Sequence, residues 1–205
     1  MTRARRRPGA PLPVEEVVAR YAAGFFPMDD DEAAPEIPWY AADPRAVFEL
    51  GPGARDAVRR RVRRSLARAG PGWELRRDEA FAEVLRACAL PRLPGDGVWI
   101  TSRMAEQYAR LHAAGVAHSL ELWVEGALGA GIVAVVLGRA ALLETMMHRV
   151  PHAGNVLLAR ALDDLAARGC ELCDIQLPSA HTVRLGAHPL PRPEFDARLR
   201  AAVDG

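Results

Sequence analysis

Apolar residues recur at helical spacing in several stretches of the chain. Val14, Val17, Val18 and Tyr21 predict a helix over 13–23, closed by Gly24. Val58, Val62 and Leu66 form the seam of a second helix over 54–69. Asp78 is a candidate N-cap for a helix over 79–89, and Thr101 or Ser102 for one reaching Ala114. Met104, Tyr108 and Leu111 fit the buried stripe of that last helix. Elsewhere the period shortens to two. Leu120, Leu122 and Val124 alternate with Ser119, Glu121 and Trp123 across a strand over 118–125. The run 128–137 is almost wholly apolar, as in a strand covered on both faces. Segments 46–50, 73–77 and 139–147 read as further strands, and 181–191 as a loop or short strand. A helix over 155–168 breaks at Gly169 and leads into a short strand over 172–176. A final helix covers 194–203. Helices first, then an antiparallel meander, then a helical crossover predict an α+β fold with a mixed sheet of about five to seven strands.

The turn Gly51-Pro52-Gly53 divides the chain into a small N-terminal domain over 13–53 and a larger one over 54–205. Residues 1–12 are rich in Arg and Pro without an apolar stretch, which predicts a disordered tail and no secretory signal. The 205 residues contain no apolar run long enough to span a membrane.

Composition narrows the chemistry. The 27 basic residues are all arginine, so lysine-based Schiff chemistry and Walker-type phosphate loops are excluded. Cys88, Cys170 and Cys173 show no disulfide spacing, which predicts a cytoplasmic protein. Cys170 and Cys173 would point to opposite faces of a strand, and no second pair completes a zinc site, so no metal or other cofactor is expected. His118, His148, His152 and His181 are scattered and form no catalytic order.

Two polar features stand out. Asp174 and Gln176 are two apart in the 172–176 strand and would share one face. A buried carboxylate there is either a satisfied structural acid or a working one. In the 54–69 helix, Arg59, Arg60, Arg63 and Arg64 crowd one face, and Asp56 is the only acid on that helix to offset them. Such an unbalanced face suits either solvent or a polyanion.

Several motifs recur together in one family. They are Tyr21, Gly24, Phe26 and Pro27; the Asp43-Pro44-Arg45 turn; Trp99-Ile100-Thr101; Tyr108 through Trp123; Glu144-Thr145-Met146; and Asp174-x-Gln176. In order and spacing the chain resembles the bacterial leucyl/phenylalanyl-tRNA–protein transferases. The resemblance implies a GNAT-like acyltransferase fold, with a mixed, mostly antiparallel sheet and a small N-terminal cap domain. It implies transfer of an apolar amino acid of the Leu, Phe or Met class from aminoacyl-tRNA to proteins beginning with Arg or Lys, marking them as N-degrons. Asp174 and Gln176 would be catalytic. Glu144 would read the basic acceptor residue, although a structural pair with an arginine such as Arg149 is its other reading. Trp99 would line the aminoacyl-adenosine site, and Trp39, Ile132, Met146 and Asn155 would complete the substrate-binding set. Arg59, Arg60, Arg63 and Arg64 would bind tRNA.

The chain departs from the family pattern around the site. Ala130-Gly131-Ile132-Val133-Ala134 replaces a glycine-rich segment with a tyrosine, and Gly154-Asn155 replaces Ser-Lys. These departures predict a reshaped pocket. Two alternatives stay open: a non-catalytic paralogue that binds tRNA or N-terminal peptides, and an acyl-CoA N-acetyltransferase on the same fold. The second would want a pyrophosphate loop that 149–154 does not provide. The sequence carries no signal of oligomeric state.

Overall fold

The structure, a computed structural model, describes residues 11–29, 34–91 and 98–205. In chain order the elements are α1 (Val14–Ala22), β1 (Phe26–Pro27), β2 (Trp39–Tyr40), β3 (Arg45–Phe48), α2 (Pro52–Arg61), α3 (Arg63–Leu66), β4 (Trp73–Arg77) and α4 (Phe81–Cys88). Then follow α5 (Ser102–Ala113), β5 (Ala117–Val124), β6 (Ala127–Leu137), β7 (Ala140–His148), α6 (Ala153–Ala167), β8 (Leu172–Asp174), α7 (Ala180–Leu185), β9 (His188–Leu190) and α8 (Arg192–Asp204).

Seven strands form one sheet in the order β4-β5-β6-β7-β8-β3-β9, and β1 pairs with β2 in a separate hairpin. Among the described residues, only the β7–β8 pair is parallel, because α6 carries the chain over one face between them. The fold is therefore α+β with a mixed, mostly antiparallel sheet. Two apolar cores cover the two faces. One gathers Tyr21, Met104, Tyr108, Val133, Val135 and Phe195. The other gathers Val58, Leu120, Leu122, Ile132, Ala134, Val156 and Leu162. Alternate residues of β6 enter alternate cores, which is why its sequence is apolar throughout.

Several expectations are corrected. The predicted boundary at residue 53 does not separate two sheets, since β3 is an interior strand of the large sheet between β8 and β9. Of the predicted tail over 1–12, residues 1–10 lie outside the described residues, but Leu12 is buried. Gln107 clamps the Leu12 backbone from both sides: its Oε1 accepts the Leu12 N–H at 2.6 Å, and its Nε2 donates to the Leu12 carbonyl at 3.1 Å. The 54–69 helix breaks at Val62, after which Ser65 turns inward to hydrogen-bond His152 and Asn155. Asp78 does not cap α4. It sits at φ +60° and accepts from Ser119 N–H, while Glu121 receives the Ala80 N–H at the helix start. Of the 181–191 segment, His188–Leu190 is the short strand β9 as expected, but residues 181–185 belong to α7, nucleated by a reciprocal Ser179–Thr182 capping box. The expected loop around 91–97 and the acidic one around 29–36 fall largely on residues outside those described.

Candidate functional site

β8 pairs with β7 only across Leu172–Asp174 and Ala140–Leu142. Beyond that point β7 runs on to His148, whereas the chain after Asp174 turns toward β3. There the Ile175 N–H donates to the Ala46 carbonyl and the Ala46 N–H donates to the Gln176 carbonyl. The two strands splay, and a cavity of about 150 Å³ opens at the wedge. Phe26, Pro27, Met28, Trp99, Glu144, Ile175, Gln176 and Leu177 line it. All but Glu144 and Gln176 are apolar or aromatic, so water competes poorly for the polar groups inside.

Glu144 owes its place to a β-bulge. The β6–β7 register pairs Val133 with Thr145 and Ala134 with Leu143, which leaves Glu144 unpaired between them. A bulge of this kind re-aims one side chain. The Tyr108 hydroxyl donates to Glu144 Oε2 at 2.8 Å and the Tyr21 hydroxyl to the same oxygen at 3.0 Å. Gln176 Nε2 donates to Oε1 at 3.1 Å. Both tyrosines are fully buried. Burial first, then the Glu144 charge, pushes their hydroxyls well above the usual tyrosine range, so they remain donors. Burial likewise pushes the Glu144 carboxyl up to about 7, against the two tyrosine hydrogen bonds, which favour its charged form. Among the described residues, no cation lies within hydrogen-bond reach of that carboxylate. The Arg149 alternative fails because Arg149 pairs with Glu83.

Asp174 is built differently. Arg45 Nε donates to Oδ1 at 3.0 Å and Arg45 Nη2 to Oδ2 at 2.6 Å, and both side chains are fully buried. Oδ1 also accepts the Gln176 backbone N–H at 3.0 Å. Its oxygens are thus taken up inside the protein, and none faces the cavity. The expected shared strand face for Asp174 and Gln176 is also corrected. The strand ends at Asp174, and Gln176 lies at φ +58° in a tight turn closed by Leu177 N–H to the Ile175 carbonyl at 2.8 Å. Gln176 reaches the cavity through that turn, and Asp174 supports it from behind.

The other predicted residues divide. Trp99 lines the cavity with Glu144 and Gln176. Trp39 stands outside it, edge-on to Tyr21 at 5.3 Å with the Arg20 guanidinium over its ring. Ile132 and Met146 are cross-strand partners facing the second core, away from the cavity lining. The whole Ala130–Ala134 segment lies within β6 and none of it lines the cavity, so it is not the pocket wall. Asn155 donates to Ser65 Oγ at 3.1 Å, tying α6 to α3. Arg59 is committed to Asp163 on α6 and to Asp56, so the offsetting acid came largely from another helix. Arg60, Arg63 and Arg64 are exposed, and no carboxylate among the described residues forms an ion pair with them. Cys170 and Cys173 are buried free thiols.

Tyr21, Tyr108 and Arg45 are the residues around Glu144 and Asp174 that periodicity missed. Both tyrosines sit on apolar helical seams and read as core. The available signal was chemical: a tyrosine on a fully buried stripe needs an acceptor for its hydroxyl.

A family model described as leucyl/phenylalanyl-tRNA protein transferase matches residues 53–200. A leucyl/phenylalanyl-tRNA–protein transferase of Anaeromyxobacter sp. strain K is 42% identical over 197 residues, covering 96% of this chain and 82% of that protein. Its counterpart in Bordetella petrii is 39% identical over 201 residues, covering 96% and 79%. Among solved structures, a tandem GNAT protein from the clavulanic acid biosynthesis pathway aligns with a TM-score of 0.40 and 17% identity, over 89% of this chain and 57% of that one. Matched along nearly its whole length, the chain belongs to the leucyl/phenylalanyl-tRNA–protein transferase family.

Proposed function

We propose that this transferase moves an apolar aminoacyl group, of the Leu, Phe or Met class, from aminoacyl-tRNA to the α-amine of polypeptides that begin with Arg or Lys. This is the step that makes an N-degron. The observation that carries the acceptor preference is Glu144. It is a carboxylate inside an apolar cavity, fixed by three donors that bring no formal charge. A guanidinium or ammonium arriving there supplies the missing positive charge and a charge-assisted hydrogen bond.

The ester is already activated, so no covalent enzyme intermediate is needed. The neutral amine attacks the ester carbonyl; the C–N bond forms and the C–O bond to the ribose breaks. The amine gives up one proton, and the departing ribose oxygen takes one. Holding amine and ester in register contributes up to about 7–11 kcal/mol. Gln176 is placed to orient the reacting groups, and Trp99 offers a flat aromatic wall. The tRNA body suits the exposed Arg60, Arg63 and Arg64. Changing those three to Gln should flatten the salt dependence of tRNA binding by up to about three phosphate contacts' worth. An unchanged slope would return that face to solvent.

The direct test incubates labelled Leu-tRNA or Phe-tRNA with peptides that differ only in a first residue of Arg, Lys or Ala. Transfer to the Arg and Lys peptides well above the Ala peptide is expected. Equal transfer to all three would remove Glu144 as the selector.

A further inference from the structure

Arg45 is fully buried and lies outside the cavity, yet its contacts reach several segments that build the site. Its guanidinium grips Asp174 with two prongs and donates from Nη1 to the Gly24 carbonyl at 3.1 Å. Its two faces rest on the rings of Phe26 and Phe195, each 4.7 Å from the guanidinium carbon. One side chain thus touches both walls of the wedge: Phe26 lines the cavity on one side, and Asp174 anchors Gln176 on the other.

The Gln176 turn needs such an anchor. A non-glycine residue at φ +58° is strained, and strain persists only where the surroundings over-determine it. Here the determinants are few. Asp174 Oδ1 accepts the Gln176 N–H, and Ala46, the residue after Arg45, brackets Ile175 and Gln176 with two backbone hydrogen bonds. Release Asp174 from Arg45, and Oδ1 is free to rotate away from the turn.

We propose that Arg45 is a positioning residue for aminoacyl transfer: by fixing Asp174 it sets the turn that presents the Gln176 amide to the cavity and to Glu144. The proposal rests on the reading of Gln176 as the group that orients the reactants. It is independent of Glu144's choice of acceptor.

The test must separate positioning from simple support of the fold. A buried ion pair replaced by apolar groups of similar size usually leaves a folded protein, whereas removing one partner does not. The double variant Arg45→Met with Asp174→Leu should therefore keep a melting temperature near that of the unaltered protein. Its kcat for transfer to an Arg-headed peptide should nevertheless fall by about 10²-fold, the cost of a misplaced orienting group. KM for the charged tRNA should change little, and the ratio of Arg-headed to Ala-headed acceptors should hold. A folded double variant whose kcat stays within about threefold of the unaltered enzyme overturns the proposal. Should that variant not fold, Arg45→Lys decides the matter in two backgrounds. It should lower kcat about tenfold in the otherwise unaltered enzyme and much less beside Gln176→Ala, because one effect runs through the other. Equal losses in both backgrounds overturn it.

Discussion

Two carboxylates flank Gln176, and they answer to opposite rules. Asp174 binds the Gln176 backbone and is saturated by a guanidinium; Glu144 binds the Gln176 side chain and is held by hydroxyls and an amide alone. The first is an ion pair completed within the protein. The second carries a charge that burial penalises, with Arg45 near enough to favour it but not bonded to it. Glu121 serves as a control. Fully buried, it likewise sits among donors without formal charge, taking Ser119 Oγ–H, Trp123 Nε1–H and Ala80 N–H, but it is not part of the cavity lining and closes the start of α4. Uncharged partners alone do not set an acid apart. What distinguishes Glu144 from Glu121 is its place at the wall of the cavity.

The largest effect expected from this contrast is on stability. Asp174→Ala leaves the Arg45 guanidinium buried without its carboxylate, at a cost of about 3–5 kcal/mol. Glu144→Gln, which relieves a penalised charge, should cost less than about 1 kcal/mol. Urea denaturation of the two variants side by side measures the difference. A carboxylate on an open strand face would have been removable without loss of fold, so an Asp174→Ala variant as stable as its parent would break the comparison.

Selectivity comes next. Glu144→Gln keeps the shape and loses the charge, so kcat/KM for an Arg-headed peptide should fall by about 10–10²-fold, the worth of a hydrogen bond to a charged group. The Ala-headed peptide should be affected far less. Competition between the two acceptors in one tube gives the ratio directly, and a ratio unmoved by the substitution would unseat Glu144.

The same residue should leave a signature in pH. Its carboxyl lies at about 7 in the folded protein, above the ordinary 4.5. Between those values the folded state holds a proton that the unfolded chain has released, so this group favours folding most at the acid end of the window. Its contribution falls as pH rises toward 7. Carboxyls lowered by arginine partners, such as Glu49 beside Arg198 and Asp29, slope the other way at lower pH. The difference between the unaltered protein and Glu144→Gln isolates the term. The stability of the unaltered protein relative to Glu144→Gln should rise from pH 7.5 to pH 5 as the carboxyl takes up its proton.

Much of this architecture was legible in the chain. The meander, the wholly apolar β6 and the α6 crossover followed from periodicity, because burial on one face or two writes itself into alternation. Glu144, Gln176 and Trp99 were legible as a set only through the recurring motifs. What stayed hidden was pairing between distant segments. Arg45 and Asp174 are 129 residues apart, and Arg59 meets Asp163 across 104. Nothing local marks which arginine, in a chain with so many, is spent internally. The positive φ at Gln176 was hidden for a related reason: it is imposed by Asp174 and Ala46, and no glycine or asparagine advertises it. The Tyr21 and Tyr108 hydroxyls were masked by their own rings, which satisfy the apolar pattern completely.

Those hydroxyls give the smallest and most selective test. Tyr108→Phe removes one of the two donors that favour the charged form of Glu144 and leaves the ring in the core. The loss of one hydrogen bond should destabilise the protein by only about 1 kcal/mol. Tyr21 still donates to the same oxygen, so Glu144 stays in position. With one donor fewer, the carboxyl should hold its proton to still higher pH. Capture of a basic acceptor requires the charged form, so kcat/KM for the Arg-headed peptide should rise with pH through a step near 7 in the unaltered enzyme. That step should move to higher pH in Tyr108→Phe and vanish in Glu144→Gln. The slower rise from deprotonation of the acceptor's own α-amine, near pH 7.7–8.0, should remain in all three. A step that stays in place in Tyr108→Phe, or moves to lower pH, would mean that the tyrosine hydroxyl does not tune the carboxylate it touches.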